Sequence, residues 1–200
     1  MNKIISKEKF SENVTKLVVE APLIAKARRA GHFVIVRCGE KGERIPLTIA
    51  DSDVKAGTIT LVIQAIGDST RKICALEPGD YLTDVVGPLG QATKIENYGT
   101  VVCCGGGVGV APLLYFGKKL KAMGVEPTFL LGARTAKDVL EKPLFEEVGR
   151  VLITTEDGSE GEKGFVTNHS VLSQESFDFI STCGPKPMMM AVAKYAYKNN

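Results

Sequence analysis

A glycine-rich segment near the middle of the chain is its most informative candidate for chemistry. Residues 101–114 read Val-Val-Cys-Cys-Gly-Gly-Gly-Val-Gly-Val-Ala-Pro-Leu-Leu, a strand-like run that passes through glycines into a helical pattern. Free backbone N–H groups at such a helix start can bind a phosphate, and glycines leave no side chain in its path. A turn that merely connects two elements is the alternative. The strand before and the helix after favour the phosphate site.

The spacing of these glycines departs from the common nucleotide-binding motifs. A G-x-G-x-x-G fingerprint would end on glycine where Val110 or Pro112 stands. The second strand ends in Leu-Gly-Ala-Arg134, without the acidic residue typical of that fold. The Gly-Lys-Ser/Thr sequence of a P-loop is also missing. The segment therefore predicts a phosphate-binding turn outside both standard classes.

The first half of the chain has the pattern of a small antiparallel β-barrel. Short β-branched runs between glycine and Pro-Gly turns predict strands at residues 16–20, 32–37, 46–50, 58–66 and 81–86. A helix expected at residues 69–76 would cover one end of this barrel.

From about residue 98, strands and helices alternate, which predicts a mostly parallel sheet with ligands at the carboxyl ends of its strands. Strands are expected at residues 100–104, 128–131, 151–155 and 179–183. Helices are expected at 137–148, with a kink or boundary at Pro143, and at 187–198. Another is expected before Gly124, where Leu113, Phe116, Gly117, Leu120 and Met123 share one face. We therefore expect two domains, residues 1–97 and 98–200.

Composition excludes several classes of protein. The chain has 200 residues, a formal net charge of +2 and 44% hydrophobic residues, so it is an ordinary globular protein for which no nucleic-acid partner is expected. Its five cysteines form no C-x-x-C pair and its histidines number two, so no metal site is expected. The amino terminus lacks the apolar run of a signal peptide, and the uncharged residues 97–117 contain six glycines. We expect no membrane insertion and a cytoplasmic location.

Eight short blocks, four in each half, carry a family resemblance. The second half holds Gly-Gly-Gly-Val-Gly-Val-Ala-Pro (105–112), Leu-Gly-Ala-Arg (131–134), Thr-Glu-Asp-Gly-Ser (155–159) and Cys-Gly-Pro-Lys-Pro-Met (183–188). The first half holds Ala-Gly-His-Phe-Val (30–34), Glu-Arg-Ile-Pro-Leu-Thr-Ile (43–49), Gly-Asp-Ser-Thr (67–70) and Gly-Pro-Leu-Gly (87–90). Together they resemble the ferredoxin-NADP reductase superfamily over nearly the whole chain. The combination is most similar to the electron-transfer subunit of dihydroorotate dehydrogenase and to the small subunits of NADH-dependent ferredoxin:NADP oxidoreductase and sulfide dehydrogenase.

The resemblance implies a flavoprotein oxidoreductase that works as an electron-transfer subunit. The antiparallel barrel would bind FAD and the α/β domain a nicotinamide nucleotide, with flavin and nicotinamide meeting between them. Hydride would pass from NADH to FAD, and single electrons would then pass to a larger redox subunit, an iron-sulfur or dehydrogenase partner. The alternatives are a stand-alone NAD(P)H:flavin or ferredoxin reductase and a non-catalytic nucleotide-binding subunit.

For FAD, the resemblance implies ligands in three segments: Arg44, Pro46, Leu47, Thr48, Val62, Ile63, Gln64, Gly67, Ser69 and Thr70. Thr48, given a catalytic role, would place its hydroxyl or N–H at the hydride-accepting nitrogen. Gly67, Ser69 and Thr70 would donate hydrogen bonds to the pyrophosphate, and Arg44 would neutralise its charge. Arg44 stands four residues before Thr48 where the superfamily has three, a change of parity that moves it to the opposite face relative to the threonine unless a bulge intervenes. A solvated surface charge is the alternative for Arg44.

For the nicotinamide nucleotide, the resemblance implies the glycine turn and the ends of later strands: Gly105, Gly106, Gly107, Val108, Gly109, Ala133, Arg134, Glu156, Asp157, Gly184 and Met188. Cys183 would lie against the ring where hydride passes, and a buried structural thiol is the alternative. Carboxylates at Glu156 and Asp157 would accept hydrogen bonds from a free ribose and repel a 2'-phosphate, which favours NADH over NADPH. Arg134 is the opposing evidence, since it would meet either a 2'-phosphate or the pyrophosphate. Helix packing is the alternative for Met188.

Relatives of this subunit type usually continue into a cysteine-rich segment that holds a 2Fe-2S cluster. Those cysteines are absent from this chain. Either the natural product extends further, or electrons pass from the flavin directly to the acceptor. The final acceptor stays open.

Overall fold

The computed structural model describes residues 1–199. The chain divides into two compact units, Met1–Lys94 and Ile95–Asn200. The boundary expected at residue 97 falls in the same connecting stretch, which joins the last strand of the first unit to the first strand of the second.

The first unit is an antiparallel sheet that curls into a nearly closed barrel. It is built from β1 (Asn2–Lys9), β2 (Val14–Glu20), α1 (Pro22–Ala27), β3 (Phe33–Arg37), β4 (Ile45–Asp53), β5 (Thr58–Gln64), α2 (Asp68–Ala75), β6 (Tyr81–Leu82) and β7 (Asp84–Leu89). The sheet order is β6-β1-β2-β5-β4-β3-β7. Its two end strands follow each other in the chain, separated by Thr83 alone, so the sheet nearly meets itself. The predicted antiparallel barrel is confirmed.

Alternating side chains fill this barrel. In β2 and β5 every second residue is buried, and Leu17, Ile59 and Leu61 are fully enclosed. The sequence did not indicate β1 or α1. In β1 only Ile4 is buried and the strand is rich in charges, so it lacks an apolar alternation. Residues 81–86, expected as one strand, belong to the two strands β6 and β7.

The second unit is a five-stranded sheet with helices packed on it. It is built from β8 (Val101–Gly106), α3 (Val110–Ala122), β9 (Thr128–Ala133), α4 (Lys142–Glu146), β10 (Arg150–Thr155), β11 (Glu162–Lys163), α5 (Val171–Gln174), β12 (Phe179–Cys183) and α6 (Lys186–Lys198). The order is β11-β10-β9-β8-β12, and every neighbouring pair is parallel. All of β8 is buried, as a strand covered on both faces should be. The predicted parallel sheet is confirmed.

Two expectations for the helices of this unit are corrected in part. Residues 137–148 are divided near the expected boundary at Pro143, which lies in the first turn of α4, because Glu141 has a left-handed φ of 53° that separates a short 3-10 turn, Ala136–Asp138, from α4. Met123, placed by periodicity on the buried face of α3, is half exposed. The other side chains predicted for that face, such as Phe116 and Leu120, are buried.

Within residues 1–199 no helix is long and apolar enough to cross a membrane. The same residues contain no cluster of three or more His, Cys, Asp or Glu side chains that would hold a metal ion.

Candidate cofactor-binding sites

Thr48 lies on an accessible stretch of β4. Along this strand Ile45 and Leu47 pack against the barrel core and Ile49 is buried, while Pro46 and Thr48 face solvent. The hydroxyl of Thr48 is therefore open to a bound molecule. Leu47, also predicted as a ligand, is half-buried and offers mainly its backbone.

The ladder between β4 and β5 ends beside Thr48. Their antiparallel pairing runs from Asp53 opposite Thr58 to Ile49 opposite Leu61 and stops there. The last residues of β5, Val62–Gln64, pair with β2 only. Val62 is half-buried and Gln64 is exposed at this opening. Ile63, also predicted as a ligand, is 1% exposed inside the barrel core, so its side chain cannot reach a cofactor and only its backbone remains available.

The first turn of α2 follows directly after this opening. The hydroxyl of Thr70 accepts hydrogen bonds from the N–H groups of Ile66 (3.0 Å) and Gly67 (2.9 Å) and donates its proton to the Gly67 carbonyl (2.9 Å). In this structure the Thr70 proton is therefore directed to the Gly67 carbonyl. The backbone N–H groups from Asp68 to Thr70 open the helix, where such groups have no acceptor within the helix and can bind an anion.

The Ser69 hydroxyl also points to the loop before β4. It donates a hydrogen bond of 2.6 Å to Oε2 of Glu43. This contact joins two of the predicted flavin-binding segments, 43–49 and 67–70, which lie 26 residues apart at these positions. Glu43 itself was not among the predicted site residues.

Arg44 lies one residue before β4, so the alternation along the strand does not fix its direction. Its side chain is 62% exposed, and its Nη2 atom lies 3.3 Å from Oδ2 of Asp84. The same Asp84 oxygen lies 2.7 Å from Nε of Arg37. Because Arg37 keeps Asp84 paired, Arg44 can turn to another anion without leaving that carboxylate unpartnered. The change costs little, since an exposed ion pair such as Arg44–Asp84 contributes about 0–1 kcal/mol.

In the second unit, the predicted glycine turn forms a 3-10 turn, Gly107–Gly109, between β8 and α3. Gly107 has a positive φ of 55°, and a Cβ added there would meet nothing within 4 Å. A side chain is therefore absent from an open position at a helix start, the kind of place where backbone N–H groups can bind a phosphate. Gly105 is different, because a Cβ there would lie 2.9 Å from Leu113 Cδ1, so it is needed for packing of α3 on the sheet.

The glycine turn packs backbone to backbone against the end of β12. A Cβ on Gly109 would lie 2.5 Å from Cα of Gly184 and 2.6 Å from the carbonyl oxygen of Cys183. On Gly106 it would lie 2.7 Å from Sδ of Met188, whose Cε is equally close to a Cβ added at Gly184. The structure thus brings together the predicted residues of β8, β12 and α6. Met188 packs against the glycines and the core, which is the packing role left open by the sequence.

The three cysteines of this unit differ in their surroundings. Cys103 and Cys104 are fully buried, and burial raises the pKa of both thiols, that of Cys104 to about 12. Cys183 is half-buried at the carboxyl end of β12, and burial raises its pKa as well. It is therefore a neutral thiol at neutral pH, suited to contact with a ring and unsuited to nucleophilic attack.

The ends of β9 and β10 lie side by side. The N–H of Glu156 donates to the carbonyl of Ala133 (3.1 Å) and the N–H of Asp157 to that of Arg134 (3.3 Å). All four residues were predicted to bind the nucleotide, and the structure groups them. The Arg134 side chain is 78% exposed, with Nε 4.0 Å from Asp138 Oδ2.

The two carboxylates here have different surroundings. Oδ1 of Asp157 accepts hydrogen bonds from the N–H (3.0 Å) and hydroxyl (2.6 Å) of Ser159, which hold its pKa below the usual range. Asp157 therefore closes a turn, while Glu156 is exposed to solvent. Ser159, which also accepts the N–H of Ala136 (2.8 Å), was missed, although the Asp-Gly-Ser sequence is a known turn signal.

Comparison with known proteins decides the family. The chain is 41% identical over 191 residues to a Thermotoga maritima protein named as a homolog of the electron transfer subunit of dihydroorotate dehydrogenase B (NAD(+)); the match covers 94% of this chain and 68% of that protein. The electron transfer subunit of Shouchella clausii is 36% identical over 201 residues, with 96% and 76% covered. The chain belongs to the dihydroorotate dehydrogenase B electron transfer subunit family.

A solved structure agrees with this family assignment. The structure described as NADH-dependent reduced ferredoxin-NADP oxidoreductase matches with a TM-score of 0.94 and 38% identity, covering 98% of this chain and 72% of that one. No family model matches the chain. The predicted resemblance and ferredoxin reductase-like fold are confirmed, and the electron transfer subunit family also explains why motifs of both halves occur in one chain.

Proposed function

We propose that this chain is a flavoprotein electron-transfer subunit that oxidises NADH. FAD binds the barrel unit and NADH binds the α/β unit. Bound FAD would accept a hydride from NADH and would supply single electrons to a larger redox subunit. One observation carries the proposal: each unit has a helix that follows a strand and starts behind glycine, Gly67 before α2 and Gly107–Gly109 before α3, so its first N–H groups can bind a phosphate.

The barrel residues fit a flavin dinucleotide. Where the β4–β5 ladder ends, the exposed side chains of Thr48 and Gln64 are available to the ring system. The first turn of α2 supplies N–H groups for a pyrophosphate, and the Ser69 hydroxyl and Arg44 supply a further donor and a positive charge. Ile63 and the Thr70 hydroxyl take structural roles in this proposal.

The α/β residues fit a nicotinamide nucleotide. Open space beside Gly107 accepts the pyrophosphate, while Gly109 and Gly184 keep a side chain out of the groove between β8 and β12. Cys183 ends β12 at this edge and its uncharged thiol lies against the nicotinamide ring.

Bound FAD supplies the chemistry of accepting a hydride and releasing electrons one at a time. The chain's own residues bind and orient the reactants. Thr48 would offer a hydrogen bond at the ring nitrogen that receives the hydride. The oxidised nicotinamide is positively charged, and the neutral thiol of Cys183 adds no negative charge that would hold it in place. Van der Waals contact from the thiol positions the ring for transfer.

Charge favours NADH over NADPH. Glu156 is an exposed carboxylate at the strand end where the adenine ribose lies, so it accepts hydrogen bonds from ribose hydroxyls and repels a 2'-phosphate. Asp157, bound to Ser159, contributes chiefly by holding the turn. Arg134 meets the pyrophosphate in this arrangement.

The proposed electron acceptor rests on the relatives, and the proposed location rests on the cysteines. The named relatives are electron transfer subunits, and the structural match is an oxidoreductase that uses ferredoxin and NADP. We therefore assign a larger redox subunit as the electron acceptor. The five free cysteines suit a reducing cytoplasm.

The visible spectrum of the purified chain tests the proposal. After incubation with FAD and removal of excess, we expect a bound flavin spectrum that NADH bleaches under anaerobic conditions, faster than NADPH does. Thr48→Ala should retain the flavin and slow the bleaching. A chain that stays colourless after incubation with FAD would refute the enzyme and support a non-catalytic nucleotide-binding subunit.

A further inference from the structure

An acidic side chain holds the first turn of α2, where the proposed function places the flavin pyrophosphate. Glu43 Oε2 accepts a 2.6 Å hydrogen bond from Ser69 Oγ. A carboxylate at this point can accept the same hydrogen bonds that a serine hydroxyl and a helix start donate to any anion. Glu43 and a phosphate oxygen are therefore chemically equivalent partners for Ser69.

Neighbouring cations are paired elsewhere. Arg44, the next residue, lies against Asp84 at 3.3 Å, and Arg71 of α2 binds Asp68 at 2.9 Å. Among the described residues, the contacts of Glu43 include no cationic side chain. A pyrophosphate that arrives at the first turn of α2 therefore meets both an occupied donor, the Ser69 hydroxyl, and a like charge, that of Glu43.

We propose that Glu43 is an internal competitor of the flavin pyrophosphate and sets how tightly FAD is retained. It must release Ser69 and swing out of the first turn of α2 before the pyrophosphate takes the same donors. Arg44 makes the opposite exchange, because it can leave Asp84 to Arg37 and join the pyrophosphate. This inference rests on the proposed function and adds that FAD is held exchangeably.

Direct FAD titration of the apoprotein tests it, with binding followed by quenching of flavin fluorescence. Glu43→Gln keeps the size of the side chain and removes its charge, and Glu40→Gln removes the same charge from an exposed position in the same loop. We expect Glu43→Gln to lower the Kd for FAD roughly two- to five-fold, within the range for an exposed charged contact. Glu40→Gln should change the Kd by less than about 1.5-fold, and high salt should shrink the gain from Glu43→Gln.

The Ser69→Ala variant separates the effect of the hydrogen bond between Ser69 and Glu43 from the effect of the Glu43 charge. In Ser69→Ala the hydroxyl that Glu43 occupies is absent, so Glu43→Gln should improve FAD binding by less than about two-fold there, a coupling that a double-mutant cycle measures. Equal gains in both backgrounds, an unchanged Kd, or weaker binding by Glu43→Gln would each overturn the competitor role.

Failure of the proposed function gives a different result. In that case the wild type and every variant would show no FAD binding while circular dichroism shows them folded. The inference on Glu43 would then fall with the function. Binding of FAD at equal Kd in wild type and Glu43→Gln overturns the inference alone.

Discussion

Replacing Gly109 with alanine tests whether the glycine turn is held against the end of β12. The added Cβ would lie 2.5 Å from Cα of Gly184 and 2.6 Å from the Cys183 carbonyl oxygen. Both are backbone atoms, so relief requires a shift of the turn or of the strand end. Overpacking of this kind costs about 1–3 kcal/mol. At roughly 4 °C per kcal/mol for a domain of about 100 residues, the Tm of the second unit should fall by about 4–12 °C.

Gly106→Ala is the matched control. Its Cβ would lie 2.7 Å from Sδ of Met188 and 3.4 Å from Cδ of Pro185, and a methionine thioether can rotate away. We expect this variant to cost less than about 1 kcal/mol. Calorimetry measures the two transitions, and an NADH titration of each variant measures the site. Gly109→Ala should weaken NADH binding roughly ten-fold, about 1.4 kcal/mol, because the displaced turn loses a hydrogen bond to phosphate.

A Gly109→Ala variant that melted within about 2 °C of the wild type, less than the smallest overpacking cost predicts, would refute the tight backbone contact. Equal destabilisation by Gly106→Ala would refute it too, because backbone should be less able to move than a methionine side chain. A large loss of stability in Gly109→Ala with unchanged NADH binding would show that the turn is structural and lies away from the nucleotide.

Three further predictions follow from the electrostatics of the second unit. Glu156→Arg should narrow the preference for NADH over NADPH in kcat/KM. Asp157→Asn should change this preference less, because the Asp157 carboxylate closes a turn. An unchanged ratio in Glu156→Arg would count against Glu156 as the residue that selects NADH. The Cys183 thiol should react slowly with iodoacetamide at neutral pH and faster in alkali, since burial raises its pKa; a rate that is already maximal at neutral pH would contradict this. Asp178 accepts hydrogen bonds from Thr100 that lower its pKa, so it stabilises the fold above the unfolded-state pKa and loses this effect as pH falls through the lowered value. Asp178→Asn should therefore lower the Tm at neutral pH and flatten its acid dependence, and identical pH profiles would disprove the link.

Regular hydrophobic patterns made much of the fold predictable. Strands β2 and β5 alternate in burial over most of their length, and β8 is a continuous apolar run, so period and composition agree with their burial. β1 was not found because one buried isoleucine, Ile4, among charged neighbours carries no period. Its strand conformation comes from pairing with β2 and β6. The break at Glu141 was not found because a left-handed φ at a glutamate leaves no composition signal.

The predicted site residues also divide into those that local sequence identifies and those whose role depends on the folded structure. Glycines and the blocks around them were recognised because a tight turn between a strand and a helix restricts residue type wherever it lies. Individual side chains were harder to assign. Ile63 lies within a predicted ligand segment but points into the core, and the proton of the Thr70 hydroxyl is bound by the carbonyl of Gly67. Neither fact follows from residue type.

By itself, the sequence determined the two kinds of domain, their order in the chain and the segments available for nucleotides, because these depend on periodicity and on glycine spacing within short windows. Only the tertiary structure decided which donors in those segments remain open. The bond from Ser69 to Glu43 joins residues 26 positions apart, and the contact of Gly109 with Gly184 joins the ends of two strands far apart in the chain. Such contacts depend on how strand ends and loops are brought together in space, which local patterns do not encode.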